Sequence, residues 1–236
     1  MNYAILLSGG TGTRVGGDIP KQYMKIGEEM MIFYSLRTLI ASCHIDKIVI
    51  VADDAWREQI INGVAGAPKI VGIAKPGSNR QGSIINGLKM IESLDDSGTA
   101  DTVFVHDAAR PLLSEDLIGR CFNALPGHDG VMPVLPMKDT VYYCESTGKA
   151  GVGKITELMD RDRLFAGQAP ELFVFDKYLE ANRALSKQQL SQIRGSSEPA
   201  ILAGMDIVTI PGDEKNFKVT TKEDLKRFSD MIESKK

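Results

Sequence analysis

The chain is short of cysteine, of long apolar runs and of any one charge, and each shortage excludes a class of protein. Cysteine occurs three times in 236 residues, at positions 43, 121 and 144. An odd, scattered set with no CxxC spacing excludes a disulfide framework and predicts free thiols in a reducing compartment. No apolar run approaches the ~20 residues that a membrane-spanning helix needs, so no membrane contact is predicted. Lys and Arg number 28 against 31 Asp and Glu, a net charge of −3. That balance argues against a general nucleic-acid binder. Met1-Asn2-Tyr3 leads straight into an apolar segment, which predicts no signal peptide and a cytoplasmic protein. The sequence shows no Ser-His-Asp set, no thiol paired with histidine and no zinc-ligand spacing, so covalent catalysis is not suggested. Repeats, low-complexity tracts and Pro/Gly/Ser linkers are also missing, which predicts a single domain over residues 1–236.

What is present is concentrated in Ala4 to Tyr23, AILLSGGTGTRVGGDIPKQY. The apolar run Ala4 to Leu7 predicts a buried strand. It breaks into Ser8-Gly9-Gly10-Thr11-Gly12-Thr13, a loop with little side chain and many backbone N–H groups. Glycine lets such a backbone approach an anion closely, with its amides pointing inward. Arg14 and Lys21 follow, the latter beside Pro20. A loop of this kind, followed by two cations, suits charge stabilisation on a reacting phosphorus.

The remainder alternates strand and helix. Strands are expected at Lys47–Ala52, Lys69–Ala74, Asp101–Val105, Gly130–Val134 and Met205–Ile210. Helices are expected at Met30–Ser42, Trp56–Val64 (capped by Asp54), Gln81–Leu94, Ser114–Leu125, Phe175–Leu185, Ser197–Ala203 and Thr221–Ile232. Asn216–Val219 reads as a short extended piece. This rhythm predicts an α/β fold, a mainly parallel twisted sheet with helices on both faces. Right-handed crossovers would gather the loops after the strands along one edge, where such sheets bind ligands. From about 136 to 167 the rhythm breaks, and two extended segments predict a protruding β-hairpin arm, a candidate for exchange with a second subunit.

The glycine loop fails both common nucleotide fingerprints. Gly12 and Gly17 have P-loop spacing, but Asp18 and Ile19 stand where Lys and Ser/Thr are required. Val15 stands where the dinucleotide motif needs a small third residue. Asp107, at the end of the fourth strand, suits a magnesium ligand or, alternatively, an aspartate paired with Arg110. His106 would face away from it by strand alternation. Arg80 and Ser83 open a helix, where amides and the dipole favour an anion. Lys218, flanked by apolar residues, must find a partner or reach solvent. Asp160-Arg161-Asp162-Arg163 reads as a solvated, self-neutralising turn.

Taken together, several segments resemble the family of 2-C-methyl-D-erythritol 4-phosphate and ribitol-5-phosphate cytidylyltransferases. They are Gly9-Gly10-Thr11-Gly12-Thr13-Arg14, Pro20-Lys21-Gln22-Tyr23, Arg80 with Ser83, and His106-Asp107-Ala108-Ala109-Arg110-Pro111. Asp139-Thr140, Asp160-Arg161, Gln168-Ala169-Pro170 and Asn216-Phe217-Lys218-Val219-Thr220 continue in family order. The resemblance implies a Rossmann-like nucleotidyltransferase domain that is a homodimer through the arm. It also implies a reaction of CTP with a polyol or sugar phosphate, with Mg²⁺ as cofactor. By position, Ser8, Gly9, Gly10, Gly77, Arg80 and Ser83 would hold the nucleotide. Arg14, Lys21 and Lys218 would contact its phosphates as the catalytic cations. Asp107, Arg110, Thr140 and Arg161 would serve the acceptor, with Asp107 also the metal contact.

Two departures bear on the acceptor. Val141 follows the Asp-Thr pair where erythritol-type enzymes usually have lysine, and Arg194 to Ala200 matches neither type's acceptor segment. On this basis a slight preference falls on ribitol 5-phosphate or a related polyol phosphate, with methylerythritol 4-phosphate as the alternative. The rival readings are an NAD-dependent dehydrogenase, with Asp53 on a ribose, and a nucleotide sensor without turnover.

Overall fold

The computed structural model describes residues 1–10, 19–94, 98, 100–145 and 153–234. Its first strand, β1 (Asn2–Leu7), sends alternate side chains to opposite faces of a sheet. Ala4 and Leu6 enter one buried cluster, while Tyr3 and Ile5 enter the other. A two-residue pairing of β2 (Lys25–Ile26) with β3 (Glu29–Met30) leads into α1 (Met31–Ala41). Then come β4 (Lys47–Val51), α2 (Arg57–Gly63), β5 (Ile70–Ala74), α3 (Arg80–Leu94), β6 (Thr102–Asp107), α4 (Glu115–Ala124) and β7 (Gly130–Pro136). The second half holds β8 (Tyr142–Glu145), β9 (Lys154–Leu158), β10 (Phe165–Gly167), β11 (Glu171–Val174), α5 (Phe175–Arg183), α6 (Lys187–Gln192), α7 (Glu198–Leu202), β12 (Ile207–Pro211) and α8 (Lys222–Glu233).

The expected alternation holds. Strands β5, β4, β1 and β6 lie side by side and parallel. Helices α1, α2 and α4 pack on one face through Leu36, Ile60 and Leu117. Helices α3, α5 and α7 pack on the other through Leu88, Tyr178 and Ala200. Because Leu7 is in register with both Val51 and Asp107, the ends of three strands meet at one edge, and the loops after them open into one crevice.

Beyond β6 the sheet becomes mixed. Strand β11 is antiparallel to both β6 and β7, and β12 runs parallel to β7 on its other side. Strand β11 lies where the sequence signals no element. Three successive buried residues, Glu171 to Phe173, running through Val174 into a helix carry no period-two signal.

Local corrections follow the same logic of competing partners. Asp53, rather than Asp54, accepts the capping bond, from Ala55 N at 3.0 Å; Asp54 pairs with Lys75 at 2.7 Å. Ser197 stands at the N-cap of α7, but its side chain makes no capping bond. Residues 216–219 form no strand. Pro136 and Phe165–Gly167 pair within the main sheet, so the projecting arm is narrower than 136–167. Its strands β8 and β9 form an antiparallel pair exposed along their length; the turn at 146–152 lies outside the described residues.

Candidate active site

The glycine loop after β1 is held from beneath. Ser8 donates from both its N–H and its hydroxyl to the Val51 carbonyl, each at 2.8 Å. Gln22 donates its Nε2 to the carbonyls of Ser8 and Gly10, both at 2.6 Å. The Tyr23 hydroxyl adds a bond to the Ser8 carbonyl at 2.9 Å, and burial pushes its pKa up to about 12, which keeps it a donor. The Tyr23 ring stacks on Trp56 with centroids 4.4 Å apart. The single turn Lys21–Tyr23 therefore fixes the loop's carbonyls on one side. Among the described residues, a Cβ at Gly10 would meet nothing within 4 Å, and Gly10 lines the cleft. Arg14 lies outside the described residues.

The second wall is the loop before α3. Asn79 caps that helix, its Oδ1 accepting from Gly82 N at 2.7 Å. The sequence reading placed the helix start one residue late and did not single out this cap. A Cβ on Gly77 would come within 2.3 Å of the Gly82 carbonyl carbon, so the backbone can make this close turn only with glycine there. The Ser83 hydroxyl accepts from Gly77 N at 3.0 Å and donates to the Asn79 carbonyl at 3.1 Å. Ser83 thus shapes the loop as well as lining the cleft.

The third wall carries the charges. The alternative expectation for Asp107, a pairing with Arg110, does not hold. Asp107 pairs instead with Arg80, which donates Nε and Nη2 to Oδ1 at 3.1 and 2.9 Å, and with Lys218, whose Nζ reaches Oδ2 at 2.8 Å. Burial opposes the Asp107 charge, but Arg80 and Lys218 outweigh it and hold the carboxyl well below the usual range. Arg110 donates to the Asn216 carbonyl at 2.8 Å, and Val219 N bonds the Ala109 carbonyl at 2.8 Å. These bonds fasten residues 216–219 beside β6 and deliver Lys218 to Asp107.

His106 points away from the cleft, as expected, fully buried with Nε2 at 3.0 Å from the Arg110 carbonyl. A carbonyl only accepts, so Nε2 carries the proton. Burial pushes the pKa of this imidazole down to about 4. Glu171, unnoticed in the sequence, is buried near Arg80, and burial raises its pKa despite that cation. No motif spacing would have revealed it, since β11 itself was missed.

The resulting cleft has a volume of about 440 Å³ and is lined by Ser8, Gly9, Gly10, Gly77 and Ser83 together with Lys21, Arg80, Asp107 and Lys218. Among the described residues that line it, three cations face one carboxylate, a balance that favours a polyanion. The cleft thus brings together all six residues expected at the nucleotide, and two of the three catalytic cations. Arg110, expected at the acceptor, does not line the cleft. Thr140 and Arg161 stand apart on the exposed arm, where Arg161 Nη1 donates to the Lys138 carbonyl at 3.0 Å. Asp53, the ribose acid of the dehydrogenase reading, does not line the cleft.

Comparison with known proteins agrees with this geometry. The family model for IspD, 2-C-methyl-D-erythritol 4-phosphate cytidylyltransferase, matches residues 3–234. The chain belongs to that family. It is accordingly an enzyme, a CTP-dependent nucleotidyltransferase. A 2-C-methyl-D-erythritol 4-phosphate cytidylyltransferase of Cereibacter sphaeroides (strain ATCC 17023) is 32% identical over 231 residues, 97% of this chain and 96% of the relative. A bifunctional IspD/IspF enzyme of Maricaulis maris is 30% identical over 98% of this chain, which spans only 57% of that relative's length. Among solved structures, 4-diphosphocytidyl-2C-methyl-D-erythritol synthase from Anaerococcus prevotii superposes with a TM-score of 0.81 at 22% identity, covering 98% of this chain and 96% of that one. The Francisella tularensis IspD structure gives 0.78 at 25% identity, over 96% and 97% of the two chains. The Cereibacter sphaeroides relative and both solved structures carry the methylerythritol name, so the slight preference for ribitol 5-phosphate drawn from the sequence is not the reading the comparisons favour.

Proposed function

We propose that the chain transfers CMP from CTP to 2-C-methyl-D-erythritol 4-phosphate and releases pyrophosphate. The observation that carries this reading is the cleft where Arg80 and Lys218 pair with Asp107 and Lys21 joins the lining beside the glycine loop, in a chain of this family. Three cations against one carboxylate leave the net positive charge that a triphosphate requires.

In the reaction an oxygen of the acceptor phosphate forms a bond to the α-phosphorus of CTP. The bond from that phosphorus to the bridging oxygen breaks, and pyrophosphate leaves. A phosphate monoester has its second pKa near ~6 and is already largely dianionic, so no protein base is required. The backbone of Ser8 to Gly10 and the Gly77 loop hold the nucleotide. Lys21 and Lys218, with Arg14 in the glycine loop, offset charge on the phosphates. Asp107 holds Lys218 and Arg80 in the cleft, where the phosphates would meet them.

Asp107 is the sole carboxylate among the described residues lining the cleft, and each of its oxygens already accepts from a cation. This is no protein cage for a metal. It fits the usual magnesium arrangement of one carboxylate plus substrate phosphates, so a magnesium ion would arrive largely bound by the nucleotide, and its chemistry would be to neutralise phosphate charge.

The arm supports a homodimer. Tyr142, Tyr143, Ile155 and Leu158 are each at least half exposed on a two-stranded ribbon, a unit only marginally stable alone. Across a dimer, Thr140 and Arg161 would reach the acceptor in the partner's cleft. A cytoplasmic location is the reading that suits such an enzyme, in which no helix among the described residues is long and apolar enough to cross a membrane.

The test is pyrophosphate release from CTP and Mg²⁺ with methylerythritol 4-phosphate or ribitol 5-phosphate in separate reactions. Release with the former alone is expected. Release only with ribitol 5-phosphate would overturn the acceptor, and release with neither would overturn the reading.

A further inference from the structure

We propose that Cys43, His44 and Glu115 form a binding site for a thiophilic divalent cation, zinc being the ion whose ligand preferences they match. A thiol, an imidazole and a carboxylate whose ligand atoms all lie within 4.8 Å of one another meet at the junction of the α1–β4 connection and the first turn of α4. None of them lines the nucleotide cleft. Sequence spacing hides the group, because Cys43 and Glu115 are 72 residues apart.

Two neighbouring side chains already converge on one Glu115 oxygen, and His44 stands beside them. Glu115 Oε1 accepts from the buried Ser42 hydroxyl at 3.1 Å and from Cys43 Sγ at 3.7 Å. The His44 ring is set by stacking on Phe122, with centroids 5.3 Å apart and planes 10° from parallel. Gly119 leaves it room; a Cβ there would sit 3.3 Å from Nε2. Three protein ligands of these types with a fourth, solvent-facing position are what an open zinc site requires. Zinc bond lengths place tetrahedral ligand atoms roughly 3.3–3.8 Å apart. A contraction of about an ångström from the observed separations is within rotamer reach of the exposed Cys43 and Glu115 side chains.

Binding replaces the thiol proton: the Cys43 S–H bond breaks, an S–Zn bond forms, and one proton is released to solvent. Ser42 then acts as the outer partner that orients the carboxylate. The bound ion would tie the α1–β4 connection to the start of α4, the helix that follows the Asp107–Arg110 loop. Its role would be structural or regulatory, separate from any metal on the nucleotide.

The experiment uses the reduced full chain, titrated with zinc chloride against a chromophoric zinc indicator, and with cobalt(II) as a spectroscopic probe. One equivalent of zinc is expected. Cys43→Ser and His44→Gln should each weaken binding by about tenfold or more, while Cys144→Ser leaves it unchanged. The thiolate-to-cobalt charge-transfer band should vanish in Cys43→Ser and persist in Cys144→Ser. Glu115→Gln, which keeps an acceptor for Ser42, should weaken zinc binding without lowering the thermal midpoint of the metal-free protein. Equal zinc affinity in the wild type and Cys43→Ser, or no cobalt–thiolate band in the wild type, would overturn the site.

Discussion

Lys218 donates to Oδ2 of Asp107 at 2.8 Å although 111 residues separate them in the chain. Arg80 occupies the other oxygen at 2.9 Å, so the carboxylate anchors two cations drawn from different elements. Exchanging Lys218 for methionine keeps the stem and removes the charge. Turnover is expected to fall ~10²-fold, as for loss of one transition-state donor. The thermal midpoint should move by only a few degrees, since the Lys218 side chain is 35% exposed and Arg80 still partners Asp107. Steady-state kinetics and thermal unfolding together check this; a collapse in stability with intact turnover would defeat it.

Lys21 sits at the start of the turn that clamps the glycine loop, and it lines the cleft. Lys21→Ala should lose orders of magnitude in kcat while the circular dichroism spectrum stays native. Unchanged turnover would remove Lys21 from the reaction.

His106 gives the protein a pH-dependent stability. Its pKa is about 4 in the folded state because burial disfavours the imidazolium, against about 6.5 when unfolded. The unfolded chain therefore binds the proton first. This contribution is fully present above pH ~6.5 and is lost as pH falls towards 4, by about 3 kcal/mol in all. Urea unfolding at several pH values should show the wild type losing that much more than His106→Gln over the interval. Equal slopes would refute the assignment.

Two glycines separate packing from ligand access. Gly77→Ala forces a Cβ to within 2.3 Å of the Gly82 backbone and should destabilise the fold by about 1–3 kcal/mol. Gly10→Ala meets no atom of the described residues within 4 Å, so its thermal midpoint should stay put. A rise of roughly tenfold in KM for CTP, or ~1.4 kcal/mol, is expected there instead. If both substitutions merely lower stability, the loop does not cradle a nucleotide.

The arm can be tested for its two proposed roles. Tyr143→Ser with Leu158→Ser removes two side chains that are 62% and 64% exposed, so each subunit should stay folded while sedimentation velocity shows a monomer. Arg161→Gln should raise KM for the acceptor and leave that for CTP unchanged. A CTP-only effect would place Arg161 elsewhere.

With the family resemblance the sequence pointed to nine of the fourteen described residues that line the cleft; by itself it determined the alternation of strand and helix and the crevice at the strand ends. These follow from local signals: apolar runs of strand length, a glycine cluster after the first strand, and capping residues such as Ser114, whose hydroxyl does accept from Leu117 N at 3.2 Å. Tertiary structure alone decided which charges pair. Asp107 and Arg110 are neighbours in sequence, yet Arg110 turns to the Asn216 carbonyl, and the pairing goes to Arg80 and Lys218. The antiparallel insertion of β11 and the convergence of Cys43, His44 and Glu115 were hidden for the same reason. Each depends on contacts between segments far apart in the chain, which no local periodicity or spacing encodes.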